Sequence, residues 1–532
     1  MTAPRRITLR PPHEVMRLHR FGAMFPTRLS FLRTVLRRLA DERATVMCRL
    51  WDMDGQGHGT ALYSVPFGGH TYTLIAITQP LAEADRTDRV IATAWDAAFV
   101  LFDGVPDAAE LAHIAANAPL QEAGRLTERA LVLSRANKSV RLWDHVVGAL
   151  RTGAPLDPAL LQTGYLMRTT AVYGNGKFGL ADRAGYAGRP GMEHAFAAEM
   201  LTVWLIRHFT LELVQHVGGG QLPTAVQRGL GIGNATGLGM APFLVSHPVL
   251  LHNWMHTREA ALARARQRLN LDRLQELAEE AARHLAAWRV PDPAHQRRID
   301  HLVCDFSRAR AHLLPHRCAD PMAQMRAFSV DVQELMAALL IEAAGEQMDS
   351  FAAQMTDSTG PLAAPLPDTD ALRRALHMHY GWALRVDYAA ADQCARFWYV
   401  SANKLEPRLG HRHAEPGAEL ESPLDIARRA AALAGDLPER NMPLGAFLAQ
   451  HPQHAMAAHR AAIAQRYPYA EIQDNLIAKT CRPIDLLRAK LALFGATGFD
   501  PKSDLWTRIT LAKGAPLAAE IAGGAHASWL PV

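Results

Sequence analysis

The hydrophobic pattern of this chain changes period near Asp107, and that change constrains the fold more than any other feature. Between residues 45 and 104, short β-branched and aromatic runs at 46–51, 61–65, 72–77 and 99–102 are separated by turn residues, among them Gly55, Gly57 and Gly59 and the pair Gly68 and Gly69. Runs of this kind bounded by glycine read as strands, and their close succession predicts an antiparallel meander. After Asp107, apolar residues recur three and four apart at 126–133, 140–150, 196–217, 249–290, 300–314 and 325–344. That spacing places side chains on one face of a helix. The proline-rich stretch 360–367 loses backbone donors and holds the chain extended, which marks a linker. Helical patterns resume at 369–384, 390–400, 424–433, 444–466 and 471–494, with a polar loop at 409–423.

The expected fold is therefore mainly α and multi-helical, with a small N-terminal antiparallel β-rich α+β unit. The expected division is a basic arm plus the β-rich unit over 1–106, a helical core over 107–356, a linker over 357–368 and a C-terminal helical domain over 369–532. A length of 532 residues agrees with several domains or one large elaborated body.

Composition excludes some classes. With 49% hydrophobic and 20% charged residues, the chain reads as globular rather than disordered or fibrous. The most apolar stretch, 196–217, carries Glu199, Arg207, His208 and Glu212, each costly in a bilayer, so it predicts a buried helix and no membrane span. No apolar signal region opens the sequence, which predicts a cytoplasmic protein. Cys48, Cys304, Cys318, Cys394 and Cys481 are widely spaced and form no C-x-x-C pair, so neither a disulfide framework nor a cysteine zinc site is expected. Residues 1–43 contain ten arginines against Glu14, Asp41 and Glu42, a local excess of +7 in a chain of net charge +5. Such an arm could dock on phosphate, but Phe31, Val35 and Leu39 predict a helix packed on the protein body, and nucleic acid is not the expected partner.

Lysine is scarce. Only seven of the 57 Lys and Arg residues are lysine, and three of these, Lys138, Lys177 and Lys404, lie inside short Asn/Gly/Ser motifs. Where arginine serves as the general positive charge, a retained lysine suggests a need for a compact, deprotonatable ammonium. Ser134, Asn137 and Lys138 form one motif. Asn175 and Lys177, among glycines and after Arg168, form the second. Ser401, Asn403 and Lys404, directly after an aromatic run at 397–399, form the third. A glycine-rich stretch at 229–239 contains Gly233, Asn234 and Thr236 and can expose successive N–H groups to an anion, although it matches neither a P-loop nor a dinucleotide fingerprint. Close helix packing would explain its glycines equally well.

Histidine pairs at 252/256, 377/379, 411/413 and 451/454 have ligand-like spacing without a nameable third ligand, and are expected to be surface or core histidines rather than a metal centre. Ser401 and Lys404 match S-x-x-K without its companion motifs, so serine hydrolysis is not expected. The predicted function is a cytosolic enzyme acting on a small anionic metabolite. Lys138, Arg168, Lys177 and Lys404 would hold the anion, Ser134, Asn137, Asn175, Gly233, Asn234, Thr236, Ser401 and Asn403 would line the pocket, and Lys177 or His247 would transfer protons. A lyase-type elimination or addition is the favoured chemistry. The alternatives are a non-catalytic binding protein using the basic arm, or a helical scaffold. No cofactor or oligomeric state is indicated.

Overall fold

The computed structural model describes residues 29–82, 95–120, 126–161, 164–174, 188–193, 197–234, 248–289, 293–313, 321–358, 364–390, 424–463, 496–500 and 503–525, less positions 30, 141, 365 and 382. Its centre is one nine-stranded sheet in the order β1 to β7, then β9 and β8. The strands are β1 Met47–Met53, β2 Gly59–Phe67, β3 His70–Thr78, β4 Ala97–Asp103, β5 Ala130–Lys138, β6 Tyr165–Gly174, β7 Gly231–Asn234, β8 Ala496–Asp500 and β9 Ser503–Leu511. The expectation of a mainly α fold is overturned: the protein is mixed α+β, and its sheet draws strands from both sides of Asp107.

The first four strands are the expected meander, with antiparallel pairing throughout. The β2–β3 hairpin shows why glycine is needed at its tip. Phe67 pairs with His70, leaving Gly68 and Gly69 as a two-residue turn with φ of +67° and +74°. Such turns need positive φ at both central residues, which glycine reaches without steric cost. A side chain at Gly68 would also stand 2.6 Å from the backbone nitrogen of Gly191.

β5 explains the misreading. Every one of its nine residues is buried, so neither face has the polar alternation that marks a half-solvated strand. Its apolar start, Ala130 to Leu133, lies within a run whose spacing fits a helix equally well, an ambiguity that short apolar runs carry. β6 continues the antiparallel order, and β7 then pairs with β6 in parallel, the one parallel pair among the described strands.

A parallel neighbour requires a crossover, and helices supply it. The 22-residue α4 (Ala197–Gly218) is buried on nearly every side, and α5 (Thr224–Gly229) returns the chain to β7. No helix among the described residues is long and apolar enough to cross a membrane. Arg207 of α4 fastens the crossover, donating from Nε to the Leu230 carbonyl at 2.7 Å and from Nη2 to that of Gln227 at 3.1 Å.

Helices cover both faces of the sheet. On one lie α1 (Phe31–Asp41), α3 (Leu142–Thr152) and α4, sharing a core with Phe99, Leu101, Val132 and Ala136. On the other lie α11 (Thr369–Tyr380), α12 (Leu424–Asp436), α13 (Leu444–Gln450) and α14 (Ala455–Ile463), packed on Ile75, Ala98, Val100 and Leu133. Between them in sequence come α2 (Ala108–Asn117) and a group comprising α6 (Pro248–Gln267), α7 (Leu271–Ala287), α8 (Pro293–Leu313), α9 (Val330–Ala343) and α10 (Glu346–Ser358). The helix expected in the basic arm is α1. It buries Phe31, Val35 and Leu39, Arg33 is buried with them, and Arg37 and Arg38 pair with Asp349 and Glu193.

Candidate functional site

The middle of this sheet carries buried charge. Arg135, Asn137 and Lys138 of β5 and Arg168 of β6 are exposed by 1%, 4%, 4% and 7%, and Ser134 and Thr169 are fully buried beside them. Water is a far better solvent for charged groups than a protein interior, so such groups stay buried only when hydrogen bonds or countercharges compensate them. Some of the polar contacts around them come from the chain entering β4. Asp96, itself buried, donates its backbone N–H to Asn137 Oδ1 at 2.9 Å, and its carboxylate accepts the Lys138 N–H at 3.1 Å. Trp95 lies under the Arg135 guanidinium at 3.9 Å, and the Lys138 ammonium stands 5.2 Å from the Trp143 ring. Both are cation–π contacts, which strengthen where the cation is desolvated.

Strand alternation divides these residues between the two faces. Ser134, Ala136 and Lys138 share the α3/α4 face, as the contact with Trp143 of α3 confirms. Arg135 and Asn137 take the opposite face, and Arg168, directly across from Asn137 in the register, shares it. Arg135, Asn137 and Arg168 thus form a cationic and amide group on two neighbouring strands, with Lys138 behind them.

Beyond β6 lies β7, where Gly233 is abreast of Arg168 and Asn234 of Thr169. The Thr169 hydroxyl donates to the Gly233 carbonyl at 3.4 Å. Gly233 has a packing role here, because a Cβ would stand 2.7 Å from the Tyr165 ring. Gly231 has one too, since a Cβ would meet the Leu511 carbonyl oxygen at 2.3 Å. Close approach of neighbouring strands, not of helices, accounts for both glycines.

Of the residues predicted from sequence, Ser134, Asn137, Lys138, Arg168 and Gly233 come together on β5, β6 and β7, and Asn234 ends β7. Asn175, Lys177, Thr236, His247, Ser401, Asn403 and Lys404 lie outside the described residues. Trp95 and Asp96 were missed. Arg135 stood within the first motif as one more arginine, and Asp96 joins it only through the β4–β5 pairing, which sequence spacing does not reveal.

A second polar group lies on α4. Glu212 accepts the Tyr63 hydroxyl hydrogen on one oxygen and pairs through the other with His208 Nε2 at 3.2 Å. Tyr63 and His208 meet edge to face at 5.1 Å. Burial pushes the His208 imidazole toward its neutral form, Glu212 opposes this in part, and Arg207 adds to it. Burial, then Glu212, raises the Tyr63 phenol above its ordinary range. Glu212 also borders two cavities of about 540 and 480 Å³, which share Gln215 and Gln221. Among the described residues, one group offers ligand atoms spaced for a metal ion, Asp436 with His451 and His454. Comparison of this chain with protein-family models, curated proteins and solved structures gives no match.

Proposed function

We propose that the protein is an enzyme that binds a small anionic metabolite beside β5, β6 and β7 and carries out proton-transfer chemistry of the lyase type. The observation that carries this reading is the concentration of Arg135, Asn137, Lys138 and Arg168 on two adjacent buried strands, next to the parallel β6–β7 pair. Charge attraction is stronger in such a water-poor interior than at the surface, and two guanidinium groups on adjacent strands suit the planar oxygens of a carboxylate or phosphate. In sheets with parallel strands, ligands favour the crevice beyond the strands' C-terminal ends. By sequence, Thr236 follows β7, whose end is abreast of Thr169 beside Arg168, whereas Asn175 and Lys177 follow the far end of β6, whose last residue is six positions on from Arg168. Lys177 or His247 is the proposed proton-transfer group, with Asn234 among the pocket amides.

The test is a thermal-shift panel of small carboxylates and phosphates on the full chain, since a ligand selective for the native state raises its melting temperature. A responsive anion should lose its effect in Arg168→Gln, and Lys177→Arg should abolish turnover of that anion with little change in the melting temperature. A panel without response, or one that Arg168→Gln answers as the parent does, contradicts the reading.

A further inference from the structure

We infer that Asp436, His451 and His454 form a binding site for a divalent transition cation of the zinc class, with two imidazoles, one carboxylate and a position left open toward solvent. Their ligand atoms all lie within 4.8 Å of one another, and Asp436 Oδ2 and His454 Nε2 are already 2.7 Å apart. Zinc holds such ligands at about 2.0–2.2 Å, so neighbouring ligand atoms sit about 3.3 Å apart in a tetrahedron. A modest approach by the His451 ring would complete that arrangement.

The local fold brings the groups together. His451 caps the end of α13, and Pro452–His454 then forms one 3₁₀ turn in which the His454 N–H reaches the His451 carbonyl at 3.1 Å. The two imidazoles lie together at this corner, their ring centroids 6.1 Å apart. Phe447 stacks on both rings, at 4.7 Å and 28° for His451 and 6.1 Å and 3° for His454, and so holds their planes. Fixed ring orientation is a property of ligating histidines. Asp436, the last residue of α12, approaches from a separate helix.

The three groups differ in exposure. His454 is buried, His451 is half-buried and Asp436 is exposed, so water can reach the open position. Two imidazoles and one carboxylate favour late first-row ions over magnesium or calcium, which prefer all-oxygen shells. A bound ion would cross-link α12 to the corner after α13, within the helical layer that covers the Arg135 face of the sheet. The sequence shows the His451/His454 spacing but not this third ligand, which the packing of α12 supplies.

The experiment is calorimetric titration of the metal-stripped full chain with Zn²⁺, repeated with Co²⁺ followed by its visible spectrum. His451→Ala removes a ligand from a half-buried ring, and Asp436→Asn keeps an acceptor for His454 while deleting the anionic ligand. One tight equivalent should bind to the parent, with at least about a 100-fold loss in each variant, beyond the 10–100-fold typical of outer-shell changes. Zn²⁺ should raise the melting temperature of the parent alone, and Mg²⁺ should raise none. If either variant melts lower without metal, the Co²⁺ spectrum of the other decides. Equal Zn²⁺ binding by the parent and both variants, or none by the parent, overturns the inference.

Discussion

The two halves of the sheet are buried to the same depth and filled with different chemistry. β3 and β4 bury Leu74, Ile75, Phe99, Val100, Leu101 and Phe102, all without exposure. β5 and β6 bury Ser134, Arg135, Asn137, Lys138 and Arg168 in the same layer. Apolar burial stabilises the fold directly, whereas buried charge is often neutral or worse for stability than a well-packed apolar replacement. A sheet whose first half shows how to make an apolar core, and whose second half departs from it, points to a use for the second half other than holding the chain together.

The largest expected effect lies in the apolar half. Phe99 packs edge to face on Phe209 at 5.6 Å, and Phe99→Ala should cost about 3–5 kcal/mol, read by denaturant unfolding. The same variant should leave any anion response intact while it remains folded. Loss of the response at unchanged fold would blur the contrast between the halves.

Lys138→Met should act in the opposite sense. The ammonium is buried and the replacement is apolar and of similar length, so stability should not fall, and because Lys138 faces Trp143 rather than the Arg135 side the anion response should persist. A Lys138→Met protein that is several kcal/mol less stable would make the cluster a structural one. Asp96→Ala should cost about 1–3 kcal/mol, because the Lys138 N–H would be left without its carboxylate acceptor. Denaturant midpoints measured at constant slope check it.

The smallest expected effect concerns His208. Its folded pKa is lowered, mainly by burial, so in the window between that value and the ordinary one near about 6.5 the unfolded chain binds the extra proton. The contribution is therefore fully present above about pH 6.5 and is lost as the pH falls toward the folded value. Glu212→Gln removes the influence that raises this pKa and should carry the loss to lower pH. Melting temperatures followed from about pH 8 to about pH 5 for the parent, Glu212→Gln and His208→Phe would show it, with His208→Phe flattest. Three coincident pH profiles would remove His208 from the account.

What the sequence made legible follows the same division. The meander up to Phe102 could be read because its strands are short, β-branched and punctuated by glycine. β5 could not, because burial on both faces erases alternation and leaves only an apolar run with a polar tail. That tail, Ser134 to Lys138, stands out in the sequence as a polar motif, but nothing in its spacing marks it as the end of a strand. Its partners Trp95 and Asp96 lie some forty positions upstream in sequence, and only cross-strand pairing brings them alongside. The helix of the basic arm was legible for a simple reason: Phe31, Val35 and Leu39 recur at helical spacing, and that face is the buried one.

The most direct test of the central claim is a crystal structure of the full chain grown or soaked with selenate, located by its anomalous scattering. The account predicts an ordered anion within hydrogen-bond reach of Arg135 or Arg168, on the face they share with Asn137, and its disappearance in Arg168→Gln crystals. Anions found only on the exposed surface, with the β5–β6 arginines engaged as before, would contradict it.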